Sequence, residues 1–393
     1  LHFAIGNPRL PQQIVISPLI QYETNFRGRS VKLFPAPILF ALLFAATAIG
    51  QLARQTQPVH TTADLRGVSA VSPQIVWASG TQGTYLRTTD AGHTWTPLQV
   101  PDASTLDFRG IVAFSADEAF LMSSGPGDRS RIYHTSDAGQ HWQLQFSNNN
   151  PKAFFDSIAF WDPTHGIVLG DPIPDDSGQL KFQLLITTDG QSWTPMALSQ
   201  LPPAVEGESS FAASNTCIAI LPNDPNIWFA TGGKVARVFH SPDRGLTWQV
   251  LDTPITHGPD SAGIFSITFR DPKHGVIAGG DYKRPNQDGP NLAFTNDGGK
   301  TWTVSRIFPQ SFYSAVAYDR RYRSPKADAL DDDQAHTRLF IAAPEFIYDF
   351  RRPKDPTRIS PPKKSGIQFN ALSPYATGGA IFVGPKGSVA TIP

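Results

Sequence analysis

The stretch TNDGGKTWTV, Thr295 to Val304, places a Thr, an Asp, two Gly and a Trp within eight positions. The same spelling recurs. TTDAGHTW runs from Thr88 to Trp95, TSDAGQHW from Thr135 to Trp142 and SPDRGLTW from Ser241 to Trp248, with a shortened TTDGQSW from Thr187 to Trp193. The aspartates Asp90, Asp137, Asp189, Asp243 and Asp297 lie 47, 52, 54 and 54 residues apart. A period of that length marks a solenoid, a propeller or an array. A catalytic aspartate would occur once; five copies mark a structural part, one per repeat.

Each copy sits between two apolar runs, such as RVFHS before Asp243 and QVL after Trp248, so the motif reads as a hairpin turn. Two further strands precede it in each repeat. The first is spelled RGVSAV (Arg66 to Val71), RGIVAF (Arg109 to Phe114), DSIAFW (Asp156 to Trp161), SFAAS (Ser210 to Ser214) and FSITF (Phe265 to Phe269). The second is IVWASG, AFLMSSG, GIVLGD, IWFATGG and GVIAGGD. Four antiparallel strands per repeat is a propeller blade, and the small residues of the first two strands suit blades crowding a channel. FYSAVAY and LFIAAP begin a sixth blade, whose Asp motif is lost in IYDFRRPKDPTRIS. FNALS, AIFVGPK and SVATI give three strands of a seventh, and PVHTTADL ahead of Arg66 supplies the fourth, closing the ring without a free edge. The expectation is an all-β propeller of seven four-stranded blades.

Composition narrows the function. Lys+Arg and Asp+Glu are 33 each, so no global field favours nucleic acid or acidic lipid. A lone cysteine, Cys217, excludes an intramolecular disulfide framework and a multi-cysteine zinc site. The 32 glycines and 35 prolines are spread along the chain, as many tight turns require. Residues 31–50 contain the uncharged run LFPAPILFALLFAATAIG, preceded by Arg27, Arg29 and Lys32 and ending in small residues. That is a secretory signal, with an uncleaved N-terminal anchor as the alternative. Residues 1–30 read as an extension upstream of the true start, and 51–393 as the propeller. The expected location is periplasmic or extracellular.

In the repeated turn the Asp accepts from backbone N–H groups ahead of it, Gly supplies a positive φ, and Trp buries apolar surface. Asp90, Gly92, Trp95, Asp137, Gly139, Trp142, Asp189, Trp193, Asp243, Gly245, Trp248, Asp297, Gly299 and Trp302 are therefore structural staples. The motif resembles the Asp-box, or bacterial neuraminidase repeat, S/T-x-D-x-G-x-T-W. With FWDPTHGIVLGD and FRDPKHGVIAGGD, the chain from Thr61 to Pro393 resembles the photosystem II stability/assembly factor-like family of exported propellers. The resemblance implies help in assembling or stabilising a membrane complex. It leaves the partner open, because the family name is shared by members from organisms without photosynthesis.

Positions that differ between repeats near the inner-strand starts point to the channel mouth. They are Arg66, Arg109, Asp156, Asp171, Glu206, Glu208, Asp281, Tyr282, Lys283, Arg284, Tyr313 and Asn370. Opposite charges converging there suit a polar ligand or peptide. His165 and His274 occupy matching DPxHG turns, LDDDQ at 330–334 lacks the glycine of a calcium loop, and neither calls for a metal. No cofactor is implied. The leading function is a monomeric binding or assembly module with a protein partner, without nucleic acid, and touching a membrane only through a retained N-terminal segment. The alternative is a sialidase-like glycosidase or glycan binder, with Arg66, Arg109, Arg284, Tyr313, Glu208 and Asp156 as the nominal machinery. An Arg-Ile-Pro signature is absent; the nearest stretches are LRGV and FRGI.

Overall fold

The apolar runs flanking each Asp motif form strands because alternate residues bury on two faces between neighbouring sheets. The computed structural model describes residues 55–56, 59–196, 200–305, 311–322, 338–344, 347–350, 356–359 and 368–393. The apolar run at 33–50, the 1–30 extension and LDDDQ lie outside them. Among the described residues no helix is long and apolar enough to cross a membrane.

All strand pairs are antiparallel. Blade one comprises Leu65–Ala70, Val76–Gly80, Thr84–Thr88 and Thr96–Gln99; blade two comprises Asp107–Ala113, Ala119–Ser124, Arg131–Thr135 and Gln143–Ser147. Blade three is Phe155–Asp162, His165–Pro174, Leu180–Thr187 and Thr194–Pro195; blade four is Ile218–Ile220, Ile227–Ala230, Arg237–Ser241 and Gln249–Asp252. The penultimate blade is Ala315–Tyr318, Leu339–Ala342, Ile347–Phe350 and Pro356–Ile359. In the closing blade, Gln55–Thr56 pairs with the last strand, Ser388–Ile392, beside Ala380–Gly384 and Ala371–Pro374. The N-terminal strand thus closes this blade, but from just upstream of the PVHTTADL stretch expected to do so.

The expectation of seven uniform four-stranded blades needs correction: six sheets are four-stranded, and the remaining one is six-stranded. It consists of Ala262–Phe269, Gly275–Asp281, Leu292–Thr295 and Thr303–Val304, extended by Gly232–Gly233 and Glu208–Ser209. A glycine crossing permits the extension. Gly232 pairs with Gly263, and a Cβ on Gly263 would lie 2.3 Å from the Gly232 Cα. A second correction concerns SFAAS. It is not the inner strand of blade four, which is the three-residue Ile218–Ile220. The chain from 210 to 217 is irregular, with Asn215 at φ 62, and the Asn215 side chain reaches the neighbouring inner strand of blade three. Its Oδ1 accepts the Ile158 N–H at 2.8 Å and its Nδ2 donates to the Ile158 carbonyl at 3.1 Å.

The core lies between sheets rather than within them. One buried cluster joins Leu65, Ala78 and Leu86 of blade one to Ala371, Ile381 and Val389 of the closing blade. Similar clusters occupy the successive junctions round the fold.

The repeated turns join the third and fourth strands. The first Thr or Ser hydroxyl accepts the Gly N–H, at 2.9 Å for Thr88 and Gly92. The Asp reaches further than a residue or two: Asp90, Asp137, Asp243 and Asp297 each accept the N–H four residues on, at 2.8–2.9 Å. The shortened turn uses Gln191 and Ser192 instead, two and three residues on. These bonds hold the carboxylates down, Asp90 to about 2, chiefly through the hydroxyl and N–H of Thr94. The glycine carbonyl of several turns also accepts from the preceding blade. Tyr85 Oη donates to Gly139 at 2.8 Å, Gln145 Nε2 to Gly190 at 2.9 Å and Trp228 Nε1 to Gly298 at 2.9 Å. The turns therefore latch neighbouring sheets as well as their own hairpins. The penultimate blade, without the motif, has a buried ion network instead: Arg338 meets both oxygens of Asp349 at 2.7 and 2.8 Å and Asp319 at 3.3 Å.

Candidate functional site

The inner strands open together on a cavity of about 570 Å³. Arg66 and Arg109 enter from blades one and two, Asp156 and Asp171 from blade three, Tyr282 from the six-stranded sheet and Asn370 from the approach to the closing blade. Both arginines lean on Asp107, Arg109 Nε at 2.8 Å and Arg66 Nε at 3.7 Å. Arg109 Nη1 also donates to the Ala212 carbonyl at 2.9 Å, fastening the irregular segment over the opening.

The two aspartates differ from every other carboxylate near the cavity. Asp156 is 1% exposed, and neither of its oxygens accepts a hydrogen bond from a described residue. Burial pushes its carboxyl well above the ordinary range; Asp171 pushes the same way, against a smaller pull from Arg109. Asp171 is also raised, by burial, although its Oδ1 accepts the Ser210 N–H at 3.0 Å. Two carboxyls sharing a poorly solvated site do not both ionise readily. Cys217 is buried nearby, and burial and Asp156 push its thiol up to about 12. It is a packing residue rather than a nucleophile.

No family model matches the chain. It is 24% identical over 318 residues to the photosystem II assembly protein Ycf48 of Thermosynechococcus vestitus, covering 66% of this chain and 77% of that protein. It is 29% identical over 123 residues to the chloroplastic photosystem II stability/assembly factor HCF136 of Oryza sativa, 25% of this chain and 29% of that one. A solved structure of YCF48 bound to a D1 peptide superposes with a TM-score of 0.58 at 14% identity, covering 86% of this chain and 96% of that one. By sequence the chain is similar to photosystem II assembly factors, and by fold it is a propeller.

In this propeller, several residues nominated from sequence stand away from the cavity. Glu208 is buried and tied to Arg237 by Nε at 3.0 Å and Nη2 at 2.5 Å, with the Thr231 hydroxyl at 2.6 Å. Glu206 is exposed beside it. Asp281 is buried and holds Arg284 at 2.8 Å, and Lys283 lies over the Tyr282 ring at 5.9 Å. Tyr313 is buried in an apolar cluster with Val276, Ala278 and Val316. The tyrosine and glutamate of a sialidase-type centre are therefore not brought together with Arg66, Arg109 and Asp156. Asn370 lines the cavity while its Nδ2 donates to the Leu65 carbonyl at 2.8 Å, fastening the closing blade to blade one. His165 and His274 turn back onto Asp162 and Asp271 at 2.8–3.0 Å, as turn residues do.

Sequence reasoning missed the aromatic wall. Phe211 stacks on Phe265 at 3.9 Å and Phe312 meets Phe265 edge-on at 4.8 Å, all three at the cavity. It also missed Asp107 and Asp260. Phe211, Phe265 and Phe312 lie in the runs SFAAS, FSITF and FYSAVAY, but no local pattern tells that their rings meet at one cavity.

Proposed function

We propose that this propeller assists assembly of a membrane protein complex by holding an extended segment of one subunit at its central cavity. The carrying observation is the cavity itself, an aromatic wall with two arginines, the buried Asp156 and the partly buried Asp171. Such a mixture of flat apolar surface with a few directed polar groups suits a peptide. The YCF48 structure with a D1 peptide supports the same reading. We further infer a closed ring in which the six-stranded sheet acts as the seventh blade, with the five repeated turns as Asp-boxes. The apolar run at 33–50 directs export, so the mouth meets its partner outside the cytoplasm.

The test is affinity capture from native membranes, comparing the tagged chain with an Arg66→Ala/Arg109→Ala form whose folding is checked by circular dichroism. Subunits of one membrane complex retained by the first and lost from the second support the proposal. The same proteins on both forms would remove the cavity from the function. Captured or trimmed glycans without protein would favour the glycan-directed alternative.

A further inference from the structure

We propose that Asp156 and Asp171 form a subsite for one basic side chain, a lysine or arginine of the bound segment, at the wall of the central cavity. The proposal rests on the peptide-binding reading above and adds the chemistry of the anchor.

The geometry carries it. Asp156 is buried, lines the cavity, and offers two oxygens that no described residue hydrogen-bonds. Buried carboxylates in folded proteins normally have partners, so an orphaned one facing a cavity is an acceptor awaiting a donor. The neighbouring arginines do not fill the role. Arg109 spends its Nε on Asp107 and its Nη1 on the Ala212 carbonyl, and Arg66 faces Asp107. The lining holds Arg66 and Arg109 against Asp156, Asp171 and Asp260, with Asp107 already shared by the two arginines, so negative charge is left over. The faces of Phe211, Phe265 and Phe312 are at hand for an aliphatic stem and a cation above a ring. A hard divalent ion fits less well. It asks for six or more oxygens, and among the described residues no group of three His, Cys, Asp or Glu side chains gathers to hold a metal.

A basic side chain entering the pair releases the proton that burial keeps there. The groups facing the pair are Arg109 from blade two, the Cys217 thiol and the Ser210 N–H from the irregular segment, with Arg66 and Asp260 in the same cavity lining. The Cys217 thiol, pushed up by burial and by Asp156, stays protonated across neutral pH and does not contribute to the pH response.

The test uses the full chain labelled with ¹³C at aspartate side-chain carboxyls. n-Butylamine is titrated from pH 5 to 8, with n-butanol and calcium chloride as controls. The expected result is that the amine alone shifts the resonances lost in Asp156→Asn and Asp171→Asn. Its affinity should weaken about tenfold per pH unit below the pair's titration. No amine-dependent shift, or a shift with calcium alone, overturns the subsite, and the wild-type spectrum decides this even if a variant folds poorly. Immobilised random peptides with and without Lys and Arg separate the two readings. Peptides retained regardless of basic residues, and equally by Asp156→Asn, defeat the subsite but leave peptide binding standing. Amine binding with no peptide retained upholds the subsite and defeats the peptide reading.

Discussion

At the residue scale, the environment of Asp156 works against the fold. Its pKa and that of Asp171 are raised, so the folded chain binds more protons than the unfolded chain above the ordinary carboxylate value. Stability from the pair is therefore fullest below that value and falls as pH rises through the folded-state titration. The aspartates of the repeated turns have the opposite sign. Their folded pKa values are depressed, so their contribution is present above the ordinary value and lost as pH falls toward about 2. The chain should thus be most stable in mildly acidic buffer, near pH 4–5. Asp156→Asn should raise stability at pH 8 by about 1–3 kcal/mol, because it removes the cost of ionising a buried carboxyl. It should also flatten the decline between pH 5 and 8, leaving the loss below pH 4 intact. Urea unfolding at several pH values reads all of this; a variant less stable than wild type at pH 8 would show that Asp156 has a partner holding it ionised. The sequence made Asp156 a rim candidate but gave no sign of its isolation, because burial depends on residues from other blades.

At the scale of the element, the repeated turn was fully legible. Its spelling is local, and its hairpin bonds join each first Thr or Ser and each Asp to residues up to four further on. Its second task was not legible, because the partners of the Gly139, Gly190 and Gly298 carbonyls lie one repeat away. Gly139 separates the two tasks. A Cβ there, at φ 83, would lie 2.7 Å from the Tyr85 hydroxyl of the preceding blade. Gly178 has nearly the same backbone, φ 82, with nothing within 4 Å. Gly178→Ala should cost about 1 kcal/mol for backbone strain alone. Gly139→Ala should cost roughly 2–4 kcal/mol, because it also displaces Tyr85 from its bond and from Trp142. Thermal melts of both variants make the comparison, and equal losses would remove the latch between blades. The misreading of SFAAS has a related cause. The small residues of SFAAS suit an inner strand, but this segment is irregular and Asn215 bonds the adjacent blade through its side chain, a long-range contact that no local pattern encodes.

At the scale of the molecule, closure depends on pairs more than three hundred positions apart. Gln55–Thr56 pairs with Thr391 and Ala390. Beyond that two-residue strand, Ala70 N–H donates to the Ser373 hydroxyl at 3.1 Å, Gly387 N–H to the Ala63 carbonyl at 2.9 Å and Lys386 N–H to Asp64 at 3.1 Å. The apolar cluster between blade one and the closing blade lies beneath them. Closure is therefore carried mainly by blade one, while the short strand covers an edge. Removing residues 1–57 should lower stability by only about 1–2 kcal/mol, the net worth of a few hydrogen bonds. The larger effect should be on association, because Ser388–Ile392 becomes an uncovered edge able to pair with another chain. Light scattering after size exclusion should show concentration-dependent oligomers in the truncated chain and a monomer in one that starts at residue 51 and so keeps Gln55–Thr56 without the apolar run, with a melting temperature only a few degrees lower in the former. A collapse in melting temperature without oligomers would mean that the two-residue strand itself bears the closure and that the contacts of blade one are too weak to hold the ring.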